Sequence, residues 1–255
     1  KSQASMTSHT ATPIKYKCNK CHDTGWVQGK NGCVRCDCFK KEYAAKLWKR
    51  FGVDPTKVKK LNDYKAYDTT TKTAKEKAVK YITSFQSIRH NKENSFGLFG
   101  QPGAGKSHII IAMGAALLQK NIQVVYMPYL EVTRKLRAAT FDNEYFIKSS
   151  EKFLKAEVLI IDDLFKDKVK NGELLKDRYG NILGLTKSEM DCIYPILNYR
   201  YLNELPTLFS TECTPDMLLD LDEALAGRIL EPCGKNITVF NSGKNDYRLK
   251  KFEKK

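Results

Sequence analysis

Apolar runs and amphipathic segments alternate along the chain from about residue 74 onward. Apolar residues at helical spacing predict a helix over 74–90. Five short apolar runs then predict strands at 95–99, 122–127, 158–161, 206–211 and 237–240. The segments between them predict helices at 108–118, 129–139, 145–154, 188–202, 215–219 and 223–230. Because strands that alternate with helices form a parallel sheet covered on both faces, we expect a three-layer α/β domain.

The residues ahead of this domain follow a different pattern. Residues 1–12 are rich in Ser and Thr and are predicted to be disordered. Residues 13–50 form a small Cys- and Gly-rich module that ends in a basic amphipathic helix over 42–51, and residues 51–73 are a polar linker. The α/β domain then occupies 74–255 and contains a charged, Gly-containing segment at 166–181 that we predict to be a mobile loop.

Residues 100–107 carry a G-x-x-x-x-G-K-S motif between a predicted strand and a predicted helix. In this motif backbone N–H groups surround the α- and β-phosphates of a nucleotide, Lys106 reaches the β- and γ-phosphates, and the Ser107 hydroxyl binds Mg²⁺. The N-terminus of the following helix also favours phosphate. The predicted nucleotide-binding residues are Gly100, Gln101, Pro102, Gly103, Ala104, Gly105, Lys106, Ser107 and His108.

Two acids follow the apolar run at 158–161, as in a Walker B strand. Asp162 is predicted to hold Mg²⁺, directly or through water, and Asp163 lies where it could polarise an attacking water. These acids narrow the prediction from nucleotide binding in general to an NTPase.

Five of the eight cysteines lie within residues 18–38. Such a cluster in a chain without a signal-peptide core favours a metal over disulfides, and four thiolates suit tetrahedral Zn²⁺. Cys18 and Cys21 form one pair. The second pair is either Cys33 with Cys36, which the spacing favours, or Cys36 with Cys38. Four thiolates leave no open coordination position, so we expect a structural site.

The net charge is +15, and residues 1–68 alone contain 15 Lys and Arg against 6 Asp and Glu. This excess favours a polyanionic partner, most simply nucleic acid. Since the sequence has neither an apolar run of membrane-spanning length nor a signal-peptide core, we expect a cytoplasmic protein without a membrane partner.

Three later features extend the predicted nucleotide site. Ser210, Thr211 and Glu212 close the strand at 206–211 and are expected beside the γ-phosphate. Arg228 and Arg248 carry guanidinium groups, which suit the charge of a phosphoryl-transfer transition state.

The order of these motifs resembles the AAA+ ATPases, specifically bacterial and phage helicase loaders of the DnaC/DnaI type. The segments that carry the resemblance, within residues 14–250, are Cys18-x-x-Cys21-x-Asp23-Thr24-Gly25-Trp26, Cys36-Asp37-Cys38, Gly100 to Ser107, Leu159 to Leu164, Arg228 to Glu231 and Asp246-Tyr247-Arg248. The resemblance implies a P-loop ATPase core without a C-terminal lid, and ATP or ADP, Mg²⁺ and Zn²⁺ as cofactors. It also moves the predicted second zinc pair to Cys36 and Cys38, with Cys33 as the alternative.

The resemblance also implies roles for single residues. Lys106 and Ser107 would serve phosphate and Mg²⁺, and Asp162 and Asp163 would form Walker B. The triplet at 210–212 occupies the sensor 1 position. Arg228 looks like an arginine finger given in trans to a neighbouring subunit, and Arg248 looks like sensor 2.

Two residues depart from the family pattern. Asp163 stands where many AAA+ proteins have Glu, so we expect slow ATP hydrolysis. Glu212 stands where relatives usually have Asn. Because an acid beside the γ-phosphate is electrostatically unfavourable, we expect Thr211 to be the working residue.

The function implied is ATP-dependent loading of a replicative DNA helicase onto single-stranded DNA during replication initiation, with self-association through the ATPase domain. The setting would be a bacterial or phage-infected cytosol. Candidate DNA contacts are the loop 166–178 and Arg134, Lys135, Arg137, Phe141, Tyr145 and Phe146. The zinc module would contact either DNA or the helicase.

Three other functions are weighed against helicase loading. An IstB-type transposition helper shares the core but usually lacks the zinc module. A DNA-binding adaptor would use ATP as a switch with negligible turnover. A small-molecule P-loop kinase is disfavoured by the zinc module, the Asp-Asp strand and both arginines.

Overall fold

The computed structural model describes residues 15–29, 32–50, 58, 60–139 and 142–241. Contacts divide the chain into two compact units, Lys1–Tyr43 and Ala44–Lys255. Several features predicted from sequence lie outside the described residues. They are the Ser- and Thr-rich residues 1–12, the linker residues 51–57, Phe141 and Arg248.

The first unit contains a small antiparallel hairpin followed by the start of a helix. Strands β1 (Trp26–Gly29) and β2 (Gly32–Arg35) pair with each other, and helix α1 spans Asp37–Arg50. The helix begins five residues before the predicted start, with Asp37 in its first turn, where an acid favours the helix dipole. Among the described side chains up to Tyr43, only Cys21 and Cys36 are buried. The described part of this unit therefore has no apolar core, and a segment so small needs another source of stability.

The second unit is built on a five-stranded parallel sheet. Its strands are β3 (Phe96–Gly100), β4 (Val124–Pro128), β5 (Val158–Leu164), β8 (Thr207–Thr211) and β9 (Ile237–Phe240), in the order β4-β5-β8-β3-β9. Its helices are α2 (Thr69–Ile88), α3 (Lys106–Gln119), α4 (Tyr129–Ala138), α5 (Asn143–Leu154), α6 (Lys187–Leu202), α7 (Pro215–Leu221) and α8 (Glu223–Cys233). This architecture confirms the predicted three-layer α/β fold. No described helix is both long and apolar enough to span a bilayer.

Each face of the sheet has its own apolar core because successive side chains of a strand point to opposite faces. On β5, Val158 and Ile160 pack with residues of α2 and α3. Leu159 and Ile161 pack on the opposite side with residues of α4, α6 and α8. A strand buried on both faces reads as a continuous apolar run, which is why this one was visible in the sequence.

The α/β domain begins earlier in the structure than at the predicted residue 74. Helix α2 begins at Thr69, five residues early, because the Asp68 carboxylate caps it by accepting from the Thr71 backbone N–H at 2.7 Å. Ahead of it, a 3₁₀ turn at Leu61–Asp63 and the buried Tyr64 pack against the core of the second unit. Residues 60–73 thus belong to that unit, and contacts place the division after Tyr43.

The segment predicted to be a mobile loop is largely ordered structure. It contains a 3₁₀ turn at Lys166–Lys168 and a hairpin of β6 (Val169–Lys170) and β7 (Glu173–Leu174). Val169 and Leu174 are buried in the core on the side of α4 and α6. Charged residues make up most of 166–174, so nothing in the sequence indicated that Val169 and Leu174 are buried. The prediction of a mobile loop was therefore wrong for residues 166–174.

Candidate nucleotide-binding site

The glycines of the 100–107 loop are required by their backbone geometry. Gly100, Gly103 and Gly105 have φ of 92°, 77° and 82°. A Cβ on Gly100 would lie 2.5 Å from the Phe240 carbonyl oxygen, and one on Gly105 would lie 2.6 Å from the Tyr64 ring. The loop therefore packs directly against β9 and against the segment ahead of α2.

Lys106 lies inside the curve of the loop, at the start of α3. Its side chain is 5% exposed, and Nζ donates to the carbonyl oxygens of Gly100 and Gln101, both at 2.6 Å. The first backbone N–H groups of α3 lack partners within the helix, so they and the ammonium form a site suited to phosphate oxygens.

The first Walker B acid is held by two neutral donors. Asp162 is 6% exposed and accepts from the Tyr126 hydroxyl at 2.7 Å and from the Ser210 hydroxyl. Burial, together with the Asp162 charge, raises the pKa of Tyr126, which keeps that phenol protonated as a donor. A carboxylate oriented in this way, with lone pairs remaining, fits the role of a Mg²⁺ ligand.

Asp163 departs from regular strand geometry. Its φ is 56°, and its backbone N–H donates to the Ser210 hydroxyl at 3.0 Å. The pairing of β5 with β8 shifts register between Ile161 and Leu164, so both acids lie at an irregularity of the sheet. Such irregularities re-aim side chains next to functional sites, and Asp163 lines the cleft beside the loop.

The end of β8 differs from the sequence expectation. Thr211 is fully buried, its hydroxyl donates to the Leu164 carbonyl at 2.6 Å, and it accepts from the Cys213 N–H at 3.0 Å. The Thr211 hydroxyl therefore makes its hydrogen bonds within the sheet. Thr211 does not line the cleft over the loop, in contrast to the expectation that it lies beside the γ-phosphate. Ser210 contacts Asp162, and Glu212 lines the cleft. Because successive side chains of a strand point to opposite faces, Ser210, which contacts Asp162, and Thr211 cannot both face the same side of the sheet.

A cleft of about 450 Å³ lies over the loop. Its lining residues are Asp63, Tyr64, Lys65, Tyr67, Pro102, Gly103, Ala104, Gly105, Lys106, Ser107, His108, Asp163, Lys166 and Glu212. The Tyr64 hydroxyl donates to the Ala104 carbonyl at 2.7 Å, and the Tyr64 ring meets His108 edge-on at 5.4 Å. Sequence reasoning missed the contribution of residues 63–67. The two tyrosines in an otherwise polar linker were the available signal.

Glu212 has a basic partner that the motifs did not reveal. Its carboxylate, 11% exposed, forms an ion pair with Lys166 from the turn after β5. Lys166 was predicted only as part of the candidate DNA-contact loop 166–178 and not of the nucleotide site, yet it lines the same cleft.

Arg228 is not part of this cleft. Its guanidinium donates to Asn198 Oδ1 at 2.8 Å, to the Tyr194 hydroxyl at 2.9 Å and to the Ala224 carbonyl at 2.7 Å. It thus lies on the surface shared by α6 and α8.

The candidate DNA contacts on α4 and α5 are mixed in character. Lys135 pairs with Glu131 at 2.6 Å, and Arg137 lies 3.9 Å from Glu189. Tyr145 is 59% exposed, whereas Phe146 packs partly against the core. Tyr145 is the aromatic of this pair that could stack on a base.

In the first unit, four thiols converge. The sulfur atoms of Cys18, Cys21, Cys36 and Cys38 all lie within 4.8 Å of one another. The Sγ–Sγ distances are 3.8 Å for Cys18 and Cys36 and 3.4 Å for Cys21 and Cys38. Tetrahedral Zn²⁺ with Zn–S bonds of about 2.3 Å needs sulfurs about 3.8 Å apart, so the cluster fits zinc. Cys33 is exposed, and its thiol lies 3.7 Å from Gln28 Oε1.

The backbone around the cluster supports a thiolate. Hydrogen bonds from the backbone of Cys21 and Lys20 lower the pKa of Cys18 to about 6. The Asp23 carboxylate accepts from the backbone N–H groups of Lys17 and Cys18 at 3.1 and 2.9 Å, which fixes the knuckle.

Comparison with known proteins places the chain in a family. The model of the IstB-like ATP binding protein family matches residues 40–180. The chain is 36% identical over 210 residues to the uncharacterized protein YqaM of Bacillus subtilis (strain 168), covering 81% of this chain but only 63% of YqaM. It is 30% identical over 238 residues to the phage-like element PBSX protein XkdC of the same organism, covering 89% and 83% of the two chains. An insertion sequence IS21 putative ATP-binding protein of Pseudomonas aeruginosa is 27% identical over 158 residues, which are 62% of this chain and 53% of that protein.

Solved structures agree on the fold. The DnaC helicase loader matches with a TM-score of 0.55 at 20% identity, over 71% of this chain and 96% of the other. DnaI matches with a TM-score of 0.54 at 20% identity, over 71% and 90%. The parallel sheet and the phosphate-binding loop agree with the family model, and the chain belongs to the IstB-like ATP binding protein family.

Proposed function

We propose that this protein is an ATP-dependent loader that places a replicative DNA helicase on single-stranded DNA in the bacterial or phage-infected cytoplasm. The observation that carries the proposal is the pairing of the ATPase unit, similar in fold to the DnaC helicase loader and DnaI, with a separate four-cysteine unit. The net charge of +15 suits the DNA partner.

The cleft supplies the parts of an ATPase. Backbone N–H groups of the loop and Lys106 would hold the phosphates, and Ser107 and Asp162 would hold Mg²⁺, which neutralises the charge that develops in the reaction. Asp163 would orient the attacking water, and Arg228 of a neighbouring subunit would stabilise the transition state. Because the Asp163 side chain is shorter than the usual Glu, we propose that turnover is slow. Zinc would join the cysteines and stabilise a unit whose described part has no apolar core.

A loading assay tests the proposal. The protein is mixed with the replicative helicase of its host and circular single-stranded DNA, and DNA-bound helicase is counted after gel filtration. We expect helicase on the DNA with ATP, and none with the Lys106→Ala variant, which lacks the ammonium that binds the phosphates. Helicase loading that is independent of ATP and of Lys106 would contradict the proposal.

A transposition helper of the IS21 type is the second candidate. Its support is the family model and the likeness to the Pseudomonas aeruginosa insertion-sequence protein. Such a helper would bind double-stranded target DNA and would not retain the helicase. Fluorescence anisotropy with single- and double-stranded oligonucleotides of equal length separates the two functions. Steady-state ATP hydrolysis with and without DNA separates both from an adaptor that uses ATP only as a switch.

A further inference from the structure

The acid at the end of β8 and the lysine after β5 form a pair within the nucleotide cleft. The Glu212 carboxylate is 11% exposed and accepts a hydrogen bond from Lys166 Nζ, whose side chain is 36% exposed. Both side chains line the cleft together with Lys106 and Asp163. An isolated carboxylate there would repel a polyphosphate, and the ammonium compensates this charge.

The residues on both sides of Lys166 are held in place by buried contacts. The Phe165 ring is 1% exposed and meets Tyr129 edge-on at 5.4 Å. Two residues after Lys166, the Lys168 ammonium forms a buried ion pair with Glu189 at 2.8 Å. The turn is therefore fixed, while the long Lys166 side chain keeps rotational freedom at its exposed end.

Lys166 lies at the Walker B end of the cleft. The phosphate-binding loop surrounds the α- and β-phosphates, whereas Walker B acids act at the terminal phosphate and its attacking water. Lys166 is three residues after Asp163 and lines the cleft with it. An ammonium at this end can bind oxygens that ATP has and ADP lacks.

We propose that Lys166 is a ligand of the terminal phosphate of ATP and that Glu212 positions its ammonium for this contact. The pair would make the site prefer the triphosphate over the diphosphate. This inference rests on the nucleotide-binding part of the proposed function, and it requires neither hydrolysis nor helicase loading.

Nucleotide affinity of the full chain tests this assignment. A fluorescent non-hydrolysable ATP analogue and fluorescent ADP are titrated with Mg²⁺ against wild type and Lys166→Met. We expect the variant to lose roughly tenfold to hundredfold in affinity for the ATP analogue, the range for a lost hydrogen bond to a charged group, with ADP affinity within about twofold. Lys166→Arg keeps the charge and should retain most of the preference. Lys170→Met, at an exposed site on β6, is the matched control and should change neither affinity.

The second member of the pair gives an independent readout. Glu212→Gln removes the carboxylate that positions the Lys166 ammonium, so affinity for the ATP analogue should fall, but by less than in Lys166→Met because the ammonium remains, with ADP affinity within about twofold. Wild-type affinity of Glu212→Gln for the ATP analogue would overturn the role given to Glu212.

The possible failures are distinguishable. If wild type binds both nucleotides and Lys166→Met either keeps the wild-type preference for ATP or weakens both nucleotides equally, the assignment of Lys166 is overturned while the ATPase site stands. If wild type binds neither nucleotide, the proposed function and this assignment are both overturned.

Discussion

Ser210 connects both Walker B acids to β8. Its hydroxyl donates to Asp162 and accepts from the backbone N–H of Asp163 at 3.0 Å. One hydroxyl thus orients the proposed Mg²⁺ ligand and fixes the backbone of the proposed water-orienting residue. Thr211, next in the chain, makes its hydrogen bonds to Leu164 and Cys213 within the sheet.

These neighbouring hydroxyls should therefore respond differently to mutation. Ser210→Ala is expected to lower ATP hydrolysis by roughly tenfold to a hundredfold at limiting Mg²⁺, because Asp162 loses a donor worth ~1.5–3 kcal/mol, with little change in ATP affinity. Thr211→Val should instead lower the free energy of unfolding by ~1–3 kcal/mol, because buried polar groups lose a partner. Phosphate release and urea unfolding measure the two effects. A larger loss of hydrolysis in folded Thr211→Val than in Ser210→Ala would restore the assignment of Thr211 as the working residue.

At the scale of elements, a buried ion pair joins the turn after β5 to helix α6. Lys168 and Glu189 are 10% and 6% exposed and lie 2.8 Å apart. Glu189 also accepts from the Thr186 backbone N–H at 2.7 Å and closes the capping box of α6. Arg137 of α4 lies 3.9 Å from the same carboxylate. The turn that carries Lys166 is thereby linked to the start of α6 and the end of α4.

This ion pair predicts acid sensitivity. Burial opposes ionisation of Glu189, but hydrogen bonds from Lys168 and Thr186 outweigh it and lower its pKa from 4.5 to about 2. Because the pKa is lowered on folding, the contribution to stability is present above pH 4.5 and is lost as the pH falls towards 2. Burial raises the pKa of the neighbouring Asp167, which opposes part of this effect. Urea unfolding between pH 2 and 7 should show a weaker pH dependence in Glu189→Gln than in wild type.

At neutral pH the same variant should be less stable. Glu189→Gln leaves Lys168 charged and buried, so the free energy of unfolding should fall by ~3–5 kcal/mol. Glu151→Gln, which breaks an exposed pair with Lys155 on α5, is the control and should cause no measurable change. Equal effects of the two substitutions would contradict the role of the buried pair.

The hairpin of β1 and β2 gives a further prediction at this scale. If zinc holds it to the start of α1 through Cys18, Cys21, Cys36 and Cys38, Cys33→Ser should retain one Zn²⁺ per chain and Cys36→Ser should lose it. Metal analysis of the purified full-length variants measures this directly. Zinc lost from Cys33→Ser and kept by Cys36→Ser would contradict the assigned ligand set.

At the scale of the whole molecule, the proposed function predicts that two subunits complete the ATPase site. The cleft is lined by residues of the phosphate-binding loop and by Asp163, whereas Arg228 is held by Asn198 and Tyr194 of α6 outside it. An arginine finger supplied in trans is worth ~10³–10⁵ in rate. Self-association would then control turnover.

Mixing two inactive variants tests this arrangement. Arg228→Ala should keep ATP affinity and lose ATP hydrolysis by at least about a hundredfold, and Lys106→Ala should lose ATP binding. A mixture should recover hydrolysis, because a Lys106→Ala subunit can still give its Arg228 to the intact cleft of its neighbour. Arg134→Ala, exposed on α4, is the control. No recovery in a mixture that associates would contradict a role in trans.

Local patterns determined much of this protein. The apolar runs predicted every strand of the five-stranded sheet, with ends within three residues of those observed, because strands buried on both faces leave a continuous apolar signal. The motif at 100–107 predicted the loop because its glycines must adopt positive φ, which is a local requirement. Helix starts at Asp37 and Thr69 were missed by five residues each, because their first turns are polar and are fixed by acids at the N-terminus rather than by an apolar face.

The tertiary structure decided what lies beside the loop. Contacts between residues far apart in the chain bring Tyr64 to Ala104, Ser210 to Asp162 and Lys166 to Glu212. The orientation of Thr211 depends on the register shift between β5 and β8, which no periodicity reveals. The sequence by itself therefore determined the sheet and the presence of a phosphate-binding loop, since both depend on local backbone and burial patterns. The residues that complete the cleft were decided only when packing brought separate elements together.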